Sequence, residues 1–271
     1  MDLRSKASFS VVEFVSIIGT VAILLSITFP ISHRIIERSQ RAQGAQNLRV
    51  IALAHANFIH DFGRPVNYRD LAKMKNPAAT RSDGPHDVNL LAAVFAKYGY
   101  IKNISVWAWD FDHLVRQYRS NQGMLPVRIY DASNDKIDPE FAGRQSAGSF
   151  PLSVACCVIQ CLNYDYTQLL NSQFPVACSR GLYSDGKWRK KFDGDVGGIW
   201  GNHGGLIAFF DGHVEWYQDI QGMFHRYGTA ISTTILCELL PNAHSSIDQQ
   251  SPYADSCFLN WQGNGAYGHL H

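Results

Sequence analysis

The stretch Ser8-Phe9-Ser10-Val11-Val12-Glu13, which opens SFSVVEFVSIIGTVAILLSITFP over residues 8–30, decides how the rest of the chain is read. From Phe14 to Ile31 no residue is charged, and Val, Ile, Leu and Phe dominate. A helix needs about 20 apolar residues to cross a hydrocarbon core of ~30 Å, so residues 9–31 are long enough to span if Glu13 is accommodated. A carboxylate costs roughly 2.5–3.5 kcal/mol at the centre of a span and less near an end, where it reaches toward water. Glu13 stands near the start of the run, and its presence there asks for a reason.

Residues 1–8, Met-Asp-Leu-Arg-Ser-Lys-Ala-Ser, are short, polar and weakly basic. The small residues Ala7 and Ser8 precede the apolar run, the reverse of a secretory signal, whose small-residue cleavage site follows it. On the far side, Pro30 cannot donate to the carbonyl of Ser26 and its ring crowds that turn. Helical periodicity then resumes: Ile31, Ile35 and Ile36 lead to Leu48, Ile51, His55, Phe58 and Phe62 at steps of three and four. One helix is expected from Phe9 to Phe62, softened at Pro30 and ended by Gly63 and Pro65. Residues 9–31 would be its transmembrane half, 32–62 its amphipathic half, and 63–271 a globular domain.

Within that domain, Val88 to Tyr98 reads as a helix, and ISVWAWDFD (104–112) and LPVRIYDAS (125–133) as strands. Pro151 to Leu170 fits either helix or strand. LIAFFDGHVEWY (206–217) carries Asp211-Gly212 between two β-prone runs, the pattern of a two-residue hairpin turn. That turn pairs Phe210 with His213, Phe209 with Val214 and Ile207 with Trp216. Ile207, Phe209, Val214 and Trp216 then share the core face, and Ala208, Phe210, His213 and Glu215 the other.

The 271 residues carry 24 Lys and Arg against 23 Asp and Glu, a formal charge of +1, which sets nucleic-acid binding aside. A single long apolar segment describes a single-pass protein rather than a channel or transporter. Cys156, Cys157, Cys161, Cys178, Cys237 and Cys257 all fall in the C-terminal half and suit disulfides in an oxidising compartment, with the pairing left open. No CxxC pair supports zinc. The basic residues His33, Arg34, Arg38 and Arg41 argue for a cytoplasmic C-terminal side; the cysteines argue for export, which large domains achieve despite such charges.

With a small-residue site ahead of the span, Phe9 after it, Glu13 five residues in and Pro30 at the twenty-second, the N-terminus resembles the class III signal of type IV pilins and type II secretion pseudopilins. NLRVIALAHANFIHDFGRPV (47–66) and FPVACSRGLYSDGKW (174–188) with GIWGNHGGLIAFFDGHVEWYQDI (198–220) resemble the bacterial group of that superfamily that carries a processing-associated His to Asp-Gly domain. The resemblance implies a pilin-like α+β fold, with a long N-terminal helix packed on an antiparallel sheet that ends in a C-terminal β-hairpin at Asp211, Gly212 and His213. It implies cleavage between Ser8 and Phe9 by prepilin peptidase, N-methylation of Phe9, and a bacterial inner-membrane anchor with the domain in the periplasm. It also implies a filament of like or related subunits raised by an inner-membrane assembly platform. In such a filament the Phe9 amine of one copy pairs with Glu13 of the next, and Pro30 eases the helix. The expected role is structural, not enzymatic.

Asp193 and Asp195 are candidate calcium ligands, because major pseudopilins carry a calcium loop; the EF-hand spacing fails here, and a solvated loop without cofactor is favoured. Cys, His and Asp residues form no recognisable nucleophile signature. Trp107 and Trp109 suggest the competing function, an anchored envelope module that grips polysaccharide or protein without polymerising.

Overall fold

A computed structural model of the protein describes residues 10–76, 88–122, 124–142, 152–159, 175–182, 188, 190–191, 198–218, 224–225, 232–233 and 256–259. The chain divides into two compact units, Met1–Gln43 and Gly44–His271. The boundary falls inside the first helix, so the expected amphipathic half, 32–62, is shared between them.

Helix α1 runs from Val11 to Phe62, close to its expected span, and its backbone stays helical through Pro30. Gly63 ends it at φ +65°, donating its N–H to the Ile59 carbonyl. That left-handed conformation suits glycine, and Pro65 follows where a helix cannot resume. Along residues 44–62 the buried stripe is Leu48, Ile51, Ala52, His55, Phe58 and Ile59, the spacing of one helix face. Ile35 and Ile36, expected in the same stripe, are exposed, as is much of Phe62.

In the second unit, α2 (Tyr68–Met74) starts at a capping box in which the Asn67 side chain accepts from Asp70 N–H and the Asp70 side chain from Asn67 N–H. Helix α3 (Val88–Lys97) matches its expected position and is buried from Val88 to Ala96. Its Phe95 touches His55, Phe58, Tyr100 and Trp107, the kind of ring whose burial stabilises by roughly 1.5–3 kcal/mol. Helix α4 (His113–Gln122) and the single turn α5 (Pro139–Ala142) complete the helical part.

The segment read as a strand at 104–112 is instead a 3-10 turn, Ile104–Val106, with the Asn103 side chain accepting from Ser105 N–H. The Asn103 cap starts the turn, and with Trp107 and Trp109 both buried the apolar alternation marks no single face. Of LPVRIYDAS only β1 (Tyr130–Asp131) is strand, paired with β2 (Lys136–Ile137).

The main sheet has five antiparallel strands in the order β6-β5-β4-β3-β9, formed by Val154–Ile159 (β3), Pro175–Ser179 (β4), Gly205–Phe209 (β5), Val214–Tyr217 (β6) and Ser256–Leu259 (β9). Between β6 and β9 in sequence, β7 (Phe224–His225) pairs with β8 (Ser232–Thr233). The ambiguous stretch from Pro151 thus contains a strand, and residues 160–170 lie outside the described residues. The protein is α+β with antiparallel sheets.

The β5–β6 hairpin forms, one residue out of the expected register: Ala208 pairs with Val214, Ile207 with Glu215 and Leu206 with Trp216. Gly212 donates its N–H to Phe209 O and Phe209 its N–H to His213 O, so the loop holds three residues, Phe210, Asp211 and Gly212. This is a turn closed by a glycine at φ +85°, a bulged hairpin instead of the two-residue turn. All five β5 residues are buried, so apolar side chains occupy both faces and cannot choose the register.

Candidate functional site: an exposed apolar helix

The first unit begins with a local hydrogen-bond loop. Ser10 N–H donates to Glu13 Oε2 at 2.9 Å, and Glu13 N–H donates to Ser10 Oγ at 3.2 Å. This reciprocal pair satisfies two of the N–H groups that a helix start leaves open, and it places a negative charge at the positive end of the helix dipole. Glu13 therefore has a capping role beside the intersubunit one expected of it. The Ser-x-x-Glu spacing was visible in the sequence as a helix-start signal.

Beyond the cap the helix is apolar all round and uncovered. Val11, Val12, Phe14, Val15, Ile17, Ile18, Val21, Ile23, Leu24 and Leu25 are each 48–79% exposed. A helix that is hydrophobic on every side belongs inside something, a protein core or a lipid layer. Its hydroxyls fit such surroundings: Ser16 Oγ donates to Val12 O at 2.8 Å, Thr20 Oγ1 to Ser16 O at 2.7 Å and Ser26 Oγ to Ile23 O at 2.7 Å. Each proton is given to the helix's own backbone, leaving no donor that requires water. Further along, Arg41 pairs with Glu37 one turn away at 2.5 Å, where the surface is polar again.

Among the described residues no helix is long and apolar enough to cross a membrane. Ser8 and Phe9, the expected cleavage and methylation site, lie outside the described residues, as do the side chain of Pro30 and the calcium candidates Asp193 and Asp195. Among the described residues no group of three or more His, Cys, Asp or Glu gathers as a metal site would.

In the second unit the expected hairpin residues do meet. His213 stacks on Phe209 at 4.1 Å between ring centroids and 8° between planes, and its Nδ1 lies 2.5 Å from Asp211 Oδ1. Arg49 Nε donates to Gly212 O at 3.3 Å, tying α1 to the turn. These contacts hold the loop in shape and orient its side chains.

Trp107 and Trp109 are wholly buried, which removes them as a sugar-gripping pair. Trp109 packs on Phe111 and Trp200 and donates from Nε1 to Val106 O at 3.0 Å. The disulfide expectation also changes in part. Cys156 and Cys178 are buried free thiols. Cys156 lies opposite Ala177 and Cys178 opposite Ala155, so their side chains leave opposite faces of the sheet and cannot reach each other. Burial pushes both thiols up, which makes them poor nucleophiles. Cys161 and Cys237, and the side chains of Cys157 and Cys257, lie outside the described residues.

One buried polar cluster had no local signal. Asp112, fully buried, accepts from Arg180 Nη2 at 2.5 Å, from Ser153 Oγ at 2.7 Å and from Leu114 N–H at 3.1 Å. Ser153 in turn binds the chain at 107–109, donating its N–H to Trp107 O and accepting from Trp109 N–H. Burial lowers the pKa of the adjacent His113, with Asp112 opposing the shift and Arg180, Lys191 and Arg116 adding to it. The cluster fastens α4, the Trp107–Trp109 turn and β4 together. Compared with known proteins, the chain matches no family model, no curated protein and no solved structure.

Proposed function

We propose that this chain is a pilin-like structural subunit, processed between Ser8 and Phe9 and assembled through its N-terminal helix into a filament of the type II secretion or type IV pilus kind. The observation that supports it best is the all-round exposed apolar surface from Val11 to Leu25, headed by the carboxylate of Glu13. Lipid covers such a surface before assembly, and the helices of neighbouring copies cover it afterwards. In this reading residues 9–31 anchor the chain once in the bacterial inner membrane, the domain lies in the periplasm, and prepilin peptidase and an assembly platform are its partners.

Glu13 serves both stages. A carboxylate has about four acceptor positions, so the bond from Ser10 N–H leaves room for an ammonium from another copy. Inside an apolar bundle an unpaired carboxylate is costly, whereas a carboxylate facing an α-amine is tolerated and fixes the axial offset between neighbours. Mass spectrometry of the mature N-terminus from the native host tests the proposal. An N-methylated Phe9 is the expected end of the chain, and an intact Met1 in the membrane fraction would overturn the reading.

A further inference from the structure

In the stripe that seats residues 44–62 of α1, one buried side chain is polar: His55. His55 is 3% exposed, and its ring stands edge-on to Phe95 of α3 at 4.8 Å and to Phe210 of the β5–β6 loop at 6.0 Å. Among the described residues its Nε2 has no hydrogen-bond partner, so a polar atom is buried against two aromatic rings. A leucine there would avoid that cost, since an unsatisfied buried polar atom is unfavourable by itself.

Charged groups on the packed elements are engaged elsewhere. On α3, Lys97 pairs with Asp135; in the hairpin, Asp211 holds His213 and Glu215 accepts from Tyr217; on α1, Arg49 bonds Gly212 O and Asp61 bonds His60 and Tyr100. Among the described residues no carboxylate approaches to welcome an imidazolium.

We propose that His55 is an acid trigger that loosens the seat of residues 44–62 of α1 on α3 and the β5–β6 loop. The proton comes from hydronium, leaving water and a ring of charge +1 whose Nε2 has no acceptor among the described residues. The protonated state is reached by opening the seat so that water solvates the ring. Burial alone holds the folded pKa down at about 3 against an ordinary 6.5, which agrees with this geometry. The device is independent of whether the chain polymerises.

Amide exchange on the full-length chain at about pH 7 and about pH 4.5 tests it, comparing wild type with His55→Leu and His55→Gln at each pH. Two pH units below 6.5 correspond to about a 100-fold rise in opening, read as lost protection in peptides from residues 44–62 and absent from both variants. Equal acid sensitivity in wild type and both variants overturns the proposal, as does full wild-type protection at about pH 4.5. Should the leucine variant not fold, His55→Gln and the ring resonances of wild-type His55 decide. An ordinary midpoint near 6.5 in the folded protein overturns it, and a ring that stays neutral until the seat opens supports it.

Discussion

Arg180 and Asp112, 68 positions apart in the chain, meet as an ion pair with 2% and 0% of their side chains exposed. Breaking such a pair by removing one partner leaves an uncompensated charge inside and costs about 3–5 kcal/mol. Arg180→Met or Asp112→Leu alone should therefore lower the denaturant midpoint sharply. The double variant, which removes both charges, should recover a large part of the loss. Equal or additive losses in the double variant would show that the pair is not what holds the three segments.

That pair also marks the limit of what the sequence could reveal. Helix α1 was legible because its apolar residues repeat over many turns and it stops where Gly63 and Pro65 say it should, and α3 because its ten residues are a compact apolar run. Nothing local announces that Asp112, Ser153 and Arg180 will share one buried site, since each lies in a different segment. The misread strand at Ile104 and the hairpin slip share a cause. Alternation of apolar side chains marks a face only where one side is wet, and Trp107, Trp109 and all of β5 are buried. At the N-terminus the capping box is readable from Ser10 and Glu13 alone, since their spacing is that of a helix start.

Two glycines on α1 should respond oppositely to substitution. A Cβ at Gly44 would lie 3.0 Å from Leu206 Cδ1 and 3.0 Å from Trp109 Cζ3, whereas at Gly19 it would meet nothing within 4 Å. Gly44→Leu forces extra volume into that closely packed contact and is expected to destabilise by roughly 1–3 kcal/mol. Gly19→Ala adds only helix propensity, a gain of up to about 1 kcal/mol confined to the first unit. Denaturant melts followed by tryptophan fluorescence report the second unit, and should shift for the first variant and stay put for the second.

Gly212 holds φ +85° with open space around it, so conformation rather than crowding limits what can replace it. Gly212→Val should cost about 1–3 kcal/mol, and Gly212→Asn distinctly less, because asparagine enters the left-handed region more readily. Nuclear Overhauser contacts between Leu206 and Trp216 should persist in Gly212→Asn. Contacts between Ile207 and Trp216 instead would restore the two-residue turn.

Cys156 and Cys178 should behave as protected thiols. Alkylation without reductant should leave both unmodified in the folded protein and label both after denaturation, since neither is engaged and both are buried. A disulfide-linked peptide joining them would contradict the register of β3 and β4.

Ser10 and Glu13 offer a way to separate helix capping from assembly. Glutamine at position 13 can keep the capping box, because its side-chain oxygen still accepts from Ser10 N–H, but it removes the charge. Ser10→Ala does the reverse, deleting the hydroxyl acceptor at a cost of about 0.5–2 kcal/mol to the helix start while the carboxylate stays. If intersubunit charge pairing drives assembly, Glu13→Gln should abolish incorporation into filaments with the cap intact, and Ser10→Ala should fray the first turn and still incorporate. Circular dichroism of the membrane-reconstituted chain measures the fraying, and filament shearing measures incorporation. Loss of incorporation in Ser10→Ala with retention in Glu13→Gln would assign Glu13 to its own helix alone.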